Sequence, residues 1–442
     1  MVVGMDIFVQ KPKKPLKGTI RPESDKSITQ RLILFSLLTE EECCFYNIST
    51  ALDPLSTLKA ANQLGLEYRL ERDTLYTKGV GLKNLKEPIE PVDCGNSGTL
   101  MRFLMGLLSG SNIFAVLSGD SSLNQRPMSR VANPLKEMGA IILGRQAGNY
   151  APLAIQGSPL KGKKHLLKVP SAQLKSALIL AGLSADSPTT IVEPIPSRDH
   201  TERLLKAMGV EVKKKDNIIE VQPTKELRGL NIEVSGDFSA AAFFIGAGLL
   251  VENSEITLDK INLNPTRTGL LRVLQRMGAN ISKEQKEGIE PSGTVFIHNH
   301  GLRGTTVTKE ELPSLIDEIP LLAVIAANSE GETVIQNAGE LRLKESDRLL
   351  GIMDLCSIIG REATLVGDDL YIKGQIGDFN GGVYDPKKDH RLVMAAAIAG
   401  LNSPKGILVK DADYASVSQP SFFPQLKELG AEIETGNCSL LM

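Results

Sequence analysis

The chain has 442 residues, more than one ordinary core needs, and 42% of them are hydrophobic, enough for two or three domains. Aromatic residues contribute only 4% and tryptophan is absent, so the cores must be aliphatic. Lys plus Arg number 50 against 52 Asp plus Glu, which excludes the basic field of a nucleic-acid binder and leaves any anion site to a local cluster of cations. Five cysteines lack CxxC spacing, residues 1–14 lack a signal-peptide core, and no apolar run reaches spanning length. The expectation is a soluble cytoplasmic protein with free thiols, no metal site and no membrane or nucleic-acid partner.

Six places along the chain share one pattern: an amphipathic helix ends on an apolar residue and glycine, and alternating strand residues follow. The glycines are Gly65, Gly139, Gly209, Gly278, Gly360 and Gly430, spaced 69 to 82 residues apart. Glycine suits the left-handed residue past a helix end, and a period this regular marks structural duplication. Each unit also holds an apolar stretch at 32–38, 100–108, 174–183, 240–250, 319–327 or 392–401. A helix apolar on every side belongs in a core. The fold class is therefore α/β, with six units, helices inside and sheets outside, three units per domain. Strand-like residues 5–10 and 17–21 are expected to return to the second half, across a hinge near 227–237. The expected domains are 24–236, and 1–23 with 237–442, with a ligand cleft between them.

Polar motifs cluster where the inner helices begin. Lys26-Ser27-Ile28-Thr29-Gln30-Arg31 opens the first, with Lys26, Ser27 and Arg31 near one face; either an anion grip or simple capping by Asp25 or Ser27 would explain it. Asp93-Cys94-Gly95-Asn96-Ser97-Gly98-Thr99-Leu100-Met101-Arg102 is a turn running into the second, a cradle of N–H groups for a small anion. Arg126 precedes Pro127, which is expected to start a helix. Ser171-Ala172-Gln173-Leu174-Lys175 opens the third inner helix, with hydroxyl, amide and amine all expected to reach forward. Ser197-Arg198-Asp199-His200 precedes an outer helix, which His200 could cap.

In the second half, Asp317-Glu318 stands between apolar residues, so partial burial of Asp317 is expected. Lys344-Glu345-Ser346-Asp347-Arg348 reads most simply as a solvated salt-bridge cluster, or else as a proton donor beside a bound anion. Asp389-His390-Arg391 opens the last inner helix. His298 and His300 alternate along a strand with no third metal ligand near them. Nucleotide motifs are absent. The helix starts together suit a ligand bearing several negative charges.

Taken in order, these motifs, with Asn264-Pro265-Thr266-Arg267-Thr268-Gly269, resemble those of the 5-enolpyruvylshikimate-3-phosphate synthases over nearly the whole chain. The Ser-Ala-Gln-x-Lys-Ser-Ala form is similar to the family's second sequence group. The resemblance implies an inside-out α/β barrel of six βαβαββ units, and transfer of the enolpyruvyl group of phosphoenolpyruvate to the 5-hydroxyl of shikimate 3-phosphate. It implies no cofactor, no metal, and a monomer. It implies that Lys26, Ser27, Arg31, Ser171, Ala172, Gln173, Arg198, Asp317 and Lys344 hold the shikimate 3-phosphate. Lys26, Gly98, Arg126, Gln173, Arg348 and Arg391 would hold phosphoenolpyruvate. Asp317, Glu345 and Lys26 would be catalytic, Asp317 as base and Glu345 as the donor to the methylene carbon.

Four departures from the family pattern stand out. Pro22-Glu23-Ser24-Asp25 lacks the usual glycine, Phe103 follows Arg102 where proline or a small residue is common, Gln419 replaces an aromatic before Pro420, and Val417 replaces a lysine. The rival readings are the sister transferase acting on UDP-N-acetylglucosamine and a non-catalytic two-lobed anion-binding protein. The first normally has a reactive cysteine in the loop that here reads Gly119-Asp120-Ser121-Ser122-Leu123-Asn124-Gln125. The joint presence of Asp317 and Glu345 argues against the second.

Overall fold

A computed structural model describes residues 4–435. The chain divides into two compact units: Ser24–Val234, and the N-terminal segment through Glu23 joined to the chain from Ser235 onward. That division lies two residues before the one read from sequence, because Gly236 bridges Ile261 and donates its N–H to Lys260 at 2.7 Å.

Each unit carries three four-stranded sheets of one topology: a parallel edge pair, followed by two strands that pair antiparallel. In the unit Ser24–Val234, Val92–Asp93 lies parallel to Phe114–Ser118, which pairs antiparallel with Tyr150–Gln156 and through it with Ile141–Gly144. The other sheets repeat this order, with three strands borrowed from distant sequence. Asn231–Glu233 supplies the parallel edge beside Glu42–Tyr46. In the other unit Lys17–Ile20 lies parallel to Glu255–Asn262, and Ile7–Gln10 sits between Ile407–Val409 and Glu432–Thr435. The two early strands thus return to the second half, as the sequence pattern predicts.

The apolar stretches form the inner helices Lys26–Ser36, Gly98–Ser109 and Ala172–Leu183 of one unit, and Phe238–Leu250, Ile319–Ala327 and His390–Gly400 of the other. All thirteen residues of Phe238–Leu250 and all nine of Ile319–Ala327 are buried, which only an apolar sequence tolerates. A Cβ on Gly106 would lie 2.1 Å from the carbonyl oxygen of Ala177, so glycine is what allows the helices Gly98–Ser109 and Ala172–Leu183 to approach so closely. Four of the six helices begin two residues before their apolar run, Lys26–Ser36 begins six residues before it, and Ile319–Ala327 begins with it. The first turn is polar, and Asp25, Ser97, Ser171, Asp237 or Asp389 accepts a backbone N–H at its N-cap. The six repeat glycines all have positive φ, from 72° at Gly360 to 113° at Gly65, a conformation that lets the chain leave the outer helix and enter the next strand.

No helix among the described residues is long and apolar enough to cross a membrane. Four of the five cysteines are described, and all are free thiols; Cys438 lies outside the described residues. Burial pushes the Cys356 thiol up to about 12 and the Cys94 thiol higher still, so neither is a ready nucleophile.

Candidate active site

In the unit Ser24–Val234 the starts of the three inner helices are tied together by side chains. Gln30 donates to Ser97 Oγ at 2.7 Å and to Thr57 Oγ1 at 2.9 Å, joining the first helix to the cap of the second. Arg102 donates to Gln173 Oε1 at 2.5 Å, and Gln173 returns its amide N–H to Thr99 Oγ1 at 2.9 Å, joining the second to the third. Gly98 stands where a Cβ would be 2.8 Å from Arg102 Nη1 and 3.5 Å from Arg126 Nη1. Gly98, Arg102, Arg126 and Gln173 therefore share one neighbourhood at the positive ends of two helices, a setting that favours negative charge.

Arg126 is held from behind: Nη2 donates to Asn96 Oδ1 at 2.6 Å. It caps a short turn, Leu123–Gln125, and the following helix starts at Ser129 instead of at Pro127 as the sequence predicts. Lys26 occupies the first turn of its helix, half-buried, with Nζ 3.0 Å from Asp53 Oδ2. Ser27 is half-buried on the same turn and gives its carbonyl oxygen to Arg31 Nη1 at 2.8 Å. Arg31 is only 3% exposed; its Nε donates to Thr201 Oγ1 at 2.8 Å, and its guanidinium lies over the Phe103 ring. The capping reading of the motif is met through Asp25, which accepts the Ile28 N–H at 2.9 Å.

Ser171, Ala172 and Gln173 form the cap and first turn of the third helix and are half-buried. Lys175 corrects the expectation that its amine reaches forward: it is 0% exposed, with Nζ 2.9 Å from Glu193 Oε2 and 2.7 Å from Glu202 Oε1. Burial opposes its charge, but Glu202 and Glu193 outweigh that effect and raise its pKa. The same amine donates to the Ser197 carbonyl at 3.2 Å, and Ser197 Oγ donates to Glu193 Oε1 at 2.5 Å. Lys175 thus anchors the loop that carries Arg198, itself half-buried. His200 is the first residue of its helix and is fully buried.

In the other unit, Asp317 stands in a single turn, Ile316–Glu318, before an inner helix. Its side chain is 18% exposed, as its apolar neighbours predict. Three cations approach its carboxylate, however: Arg348 Nη1 at 3.6 Å, Lys344 Nζ at 3.9 Å and Arg391 Nη2 at 4.0 Å. They oppose what burial does to a carboxyl group.

The cluster read from sequence as solvated has a buried centre. Arg348 is 1% exposed, opening the helix Arg348–Ile358 behind the cap Asp347. Its Nη2 donates to Glu345 Oε2 at 2.6 Å and its Nε to Asp389 Oδ2 at 2.8 Å. Burial disfavours the guanidinium charge, yet Asp389, Glu345 and Asp317 more than restore it and its pKa is raised. Burial likewise pushes the fully buried Asp389 up, but Arg348 wins and holds this carboxyl below its ordinary value. Asp389 also accepts from Ser346 Oγ at 3.1 Å and from the backbone N–H of Arg391 at 2.9 Å. One buried carboxylate thereby fixes Arg348 and starts the helix that presents Arg391.

The chemical content of this half is two carboxylates, Asp317 and Glu345, on either side of one guanidinium. Two carboxylates that could take or give a proton thus stand beside a guanidinium of the kind that grips anions. Among the described residues no group of His, Cys, Asp and Glu could hold a metal ion. Of the predicted residues, Lys26, Ser27, Arg31, Gly98, Arg126, Ser171, Ala172, Gln173 and Arg198 lie in one unit. Asp317, Lys344, Glu345, Arg348 and Arg391 lie in the other. Sequence reasoning gave no role to Asp53, Thr201, Phe103 or Asp389. Of these, Asp389 carried a signal as a helix-cap residue beside a named arginine, and Phe103 as a departure from the family pattern.

Known proteins resemble this chain in sequence and fold. The profile of the EPSP synthase family, 3-phosphoshikimate 1-carboxyvinyltransferase, matches residues 10–426. Relatives of that name from Persephonella marina and Thermus thermophilus are 43% and 44% identical over 420 and 431 residues. These alignments cover 94% and 97% of this chain, and 97% and 100% of the relatives. The solved EPSP synthase of Acinetobacter baumannii superposes with a TM-score of 0.88 at 35% identity, covering 98% of this chain and all of that one. The enolpyruvyl transferase NikO of Streptomyces tendae, at 15% identity, shares the fold with a TM-score of 0.76, covering 98% of this chain and 99% of its own. The fold with six repeated sheets and the match along the whole ordered series of motifs lead to one conclusion: the chain belongs to the EPSP synthase family.

Proposed function

We propose that the chain transfers the enolpyruvyl group of phosphoenolpyruvate to the 5-hydroxyl of shikimate 3-phosphate and releases phosphate. The observation that carries the reading is the pair Asp317 and Glu345 around the buried Arg348, with Glu345 Oε2 at 2.6 Å and Asp317 Oδ1 at 3.6 Å from that guanidinium. Addition across an enol double bond needs a proton placed on the methylene carbon and one removed from the attacking hydroxyl. Glu345 is assigned the first transfer and Asp317 the second, with Lys26 assisting.

As the methylene takes its proton, the neighbouring carbon becomes cationic and the 5-oxygen bonds to it. The added proton chemistry then runs backwards: a methyl proton is returned, the C–O bond to phosphate breaks, and the double bond is restored. Arg348 and Arg391 grip phosphoenolpyruvate in this reading, together with Lys26, Arg126, Gln173 and the backbone at Gly98. Ser27, Arg31, Ser171, Ala172, Gln173, Arg198 and Lys344 hold the acceptor beside Asp317. Fixing both partners accounts for much of the rate, because a guanidinium fork sets both distance and direction. In this reading the enzyme works as a monomer in the cytoplasm.

Phosphate release with both substrates present tests the proposal. Turnover should require both, and Glu345→Ala and Asp317→Asn should each lower kcat by about 100-fold or more, the usual contribution of a positioned acid or base. Full turnover by the Glu345→Ala protein would remove Glu345 from the mechanism, and phosphate release from phosphoenolpyruvate alone would remove the acceptor.

A further inference from the structure

Phe103 sits on the inner helix Gly98–Ser109 and is 0% exposed. Its ring faces the guanidinium of Arg31, whose central carbon is 4.8 Å from the ring centroid. Arg31 is fixed in two further directions. Its Nε donates to Thr201 Oγ1, which is 2.7 Å from Ser176 Oγ, and its Nη1 donates to the Ser27 carbonyl. A hydroxyl and a carbonyl hold the edge of the plane, and the ring holds a face.

We propose that Phe103 is a positioning residue for the acceptor's phosphate, acting through Arg31 by cation–π attraction. This rests on the reading of Arg31 as a ligand of that phosphate. A ring face attracts a cation without accepting any N–H, so it orients the guanidinium while taking up none of its donors. The attraction is large here because both partners are removed from water. A guanidinium that already lies in its binding plane loses less rotamer freedom when the phosphate arrives. The gain therefore falls on affinity for the phosphorylated acceptor and leaves the chemical step and the donor alone. The plain alternative is that Phe103 only fills the core. A core filler is indifferent to the electron density of its ring.

Replacing Phe103 with mono-, di- and trifluorinated phenylalanine in the full chain keeps its volume and drains the ring face by steps. KM for shikimate 3-phosphate should rise with each fluorine to about 3- to 10-fold. Over the same series kcat and the KM for phosphoenolpyruvate should stay level, and the melting temperature should fall only slightly, by the weakened ring–guanidinium attraction. A flat acceptor KM across the series, while Arg31→Lys raises it, overturns the role of Phe103 alone. An unchanged acceptor KM in Arg31→Lys overturns the reading of Arg31, and the proposal with it.

Discussion

Gly98→Ala sets two small effects against each other. The residue opens the helix Gly98–Ser109, where alanine is the better helix former by up to about 1 kcal/mol, and its φ is not in the left-handed region. Folding stability should therefore hold or rise slightly. The new methyl would lie 2.8 Å from Arg102 Nη1, where ordinary contact begins near 3.4 Å. The arginine must give way, yet it is not a loose surface chain, because the same Nη1 donates to Gln173 Oε1 at 2.5 Å. A shift of this size forfeits part of a charge-assisted hydrogen bond worth about 1.5–3 kcal/mol in full. A loss of about 1 kcal/mol corresponds to roughly a fivefold rise in KM for phosphoenolpyruvate. The methyl also faces Arg126 Nη1 at 3.5 Å, so the space lost is the space the donor's anion is assigned. Steady-state kinetics with each substrate varied, together with a thermal melt, reads both effects. An unchanged KM for phosphoenolpyruvate, or a weakened KM accompanied by a large fall in melting temperature, would refute the argument.

Four further outcomes follow from the buried charges. Asp389→Asn removes the carboxylate that holds Arg348 and should cost about 3 kcal/mol of stability by denaturant titration, along with most activity. Because the native pKa of Asp389 is depressed, its contribution is complete above the ordinary carboxylate pKa and is lost as pH falls through the native one. Wild type should therefore lose stability more steeply in acid than Asp389→Asn, as acid melts would show. Lys175→Met leaves Glu193 and Glu202 facing each other in the core and should destabilise by about 3–5 kcal/mol. The native pKa of Lys175 is raised, so its contribution is complete below the ordinary lysine value and is lost only as pH climbs through the native one. Wild type should keep this contribution across the neutral range and lose it only in strong alkali, as a denaturant titration at each pH would show.

The fold was legible wherever a backbone requirement left its mark on residue type. The six glycines after the outer helices had to take positive φ, and glycine alone does so at no cost, so the repeat stands in the sequence. The all-apolar helices were legible for the same kind of reason, since the interior penalises anything else. Their starts were legible from the polar motifs that precede the apolar runs, because the first turn and its cap are polar where the rest of the helix is not. The borrowed strands were only half legible. Residues 7–10 alternate as a strand should, but nothing in Ile7–Gln10 names Ile407–Val409 and Glu432–Thr435 as its partners.

The candidate residues were found because they stand at helix starts, where unpaired N–H groups and a positive dipole make any nearby cation or hydroxyl suggestive. What could not be found that way is which charge is spent inside the protein. Lys175 and Arg348 look alike in sequence, each one turn or less from a helix start amid polar neighbours. The structure buries both, yet they serve different ends. Lys175 meets Glu193 and Glu202, both nearly as buried as itself, and its charge is consumed in holding the Arg198 loop. Arg348 meets one fully buried carboxylate, Asp389, and two that remain partly exposed, Glu345 at 28% and Asp317 at 18%. An ion pair closed on every side can only stabilise or position. One left open on the side of two partly exposed carboxylates keeps a route for exchanging a partner with an incoming anion, and that difference in exposure is what sets the proposed site apart from the scaffold.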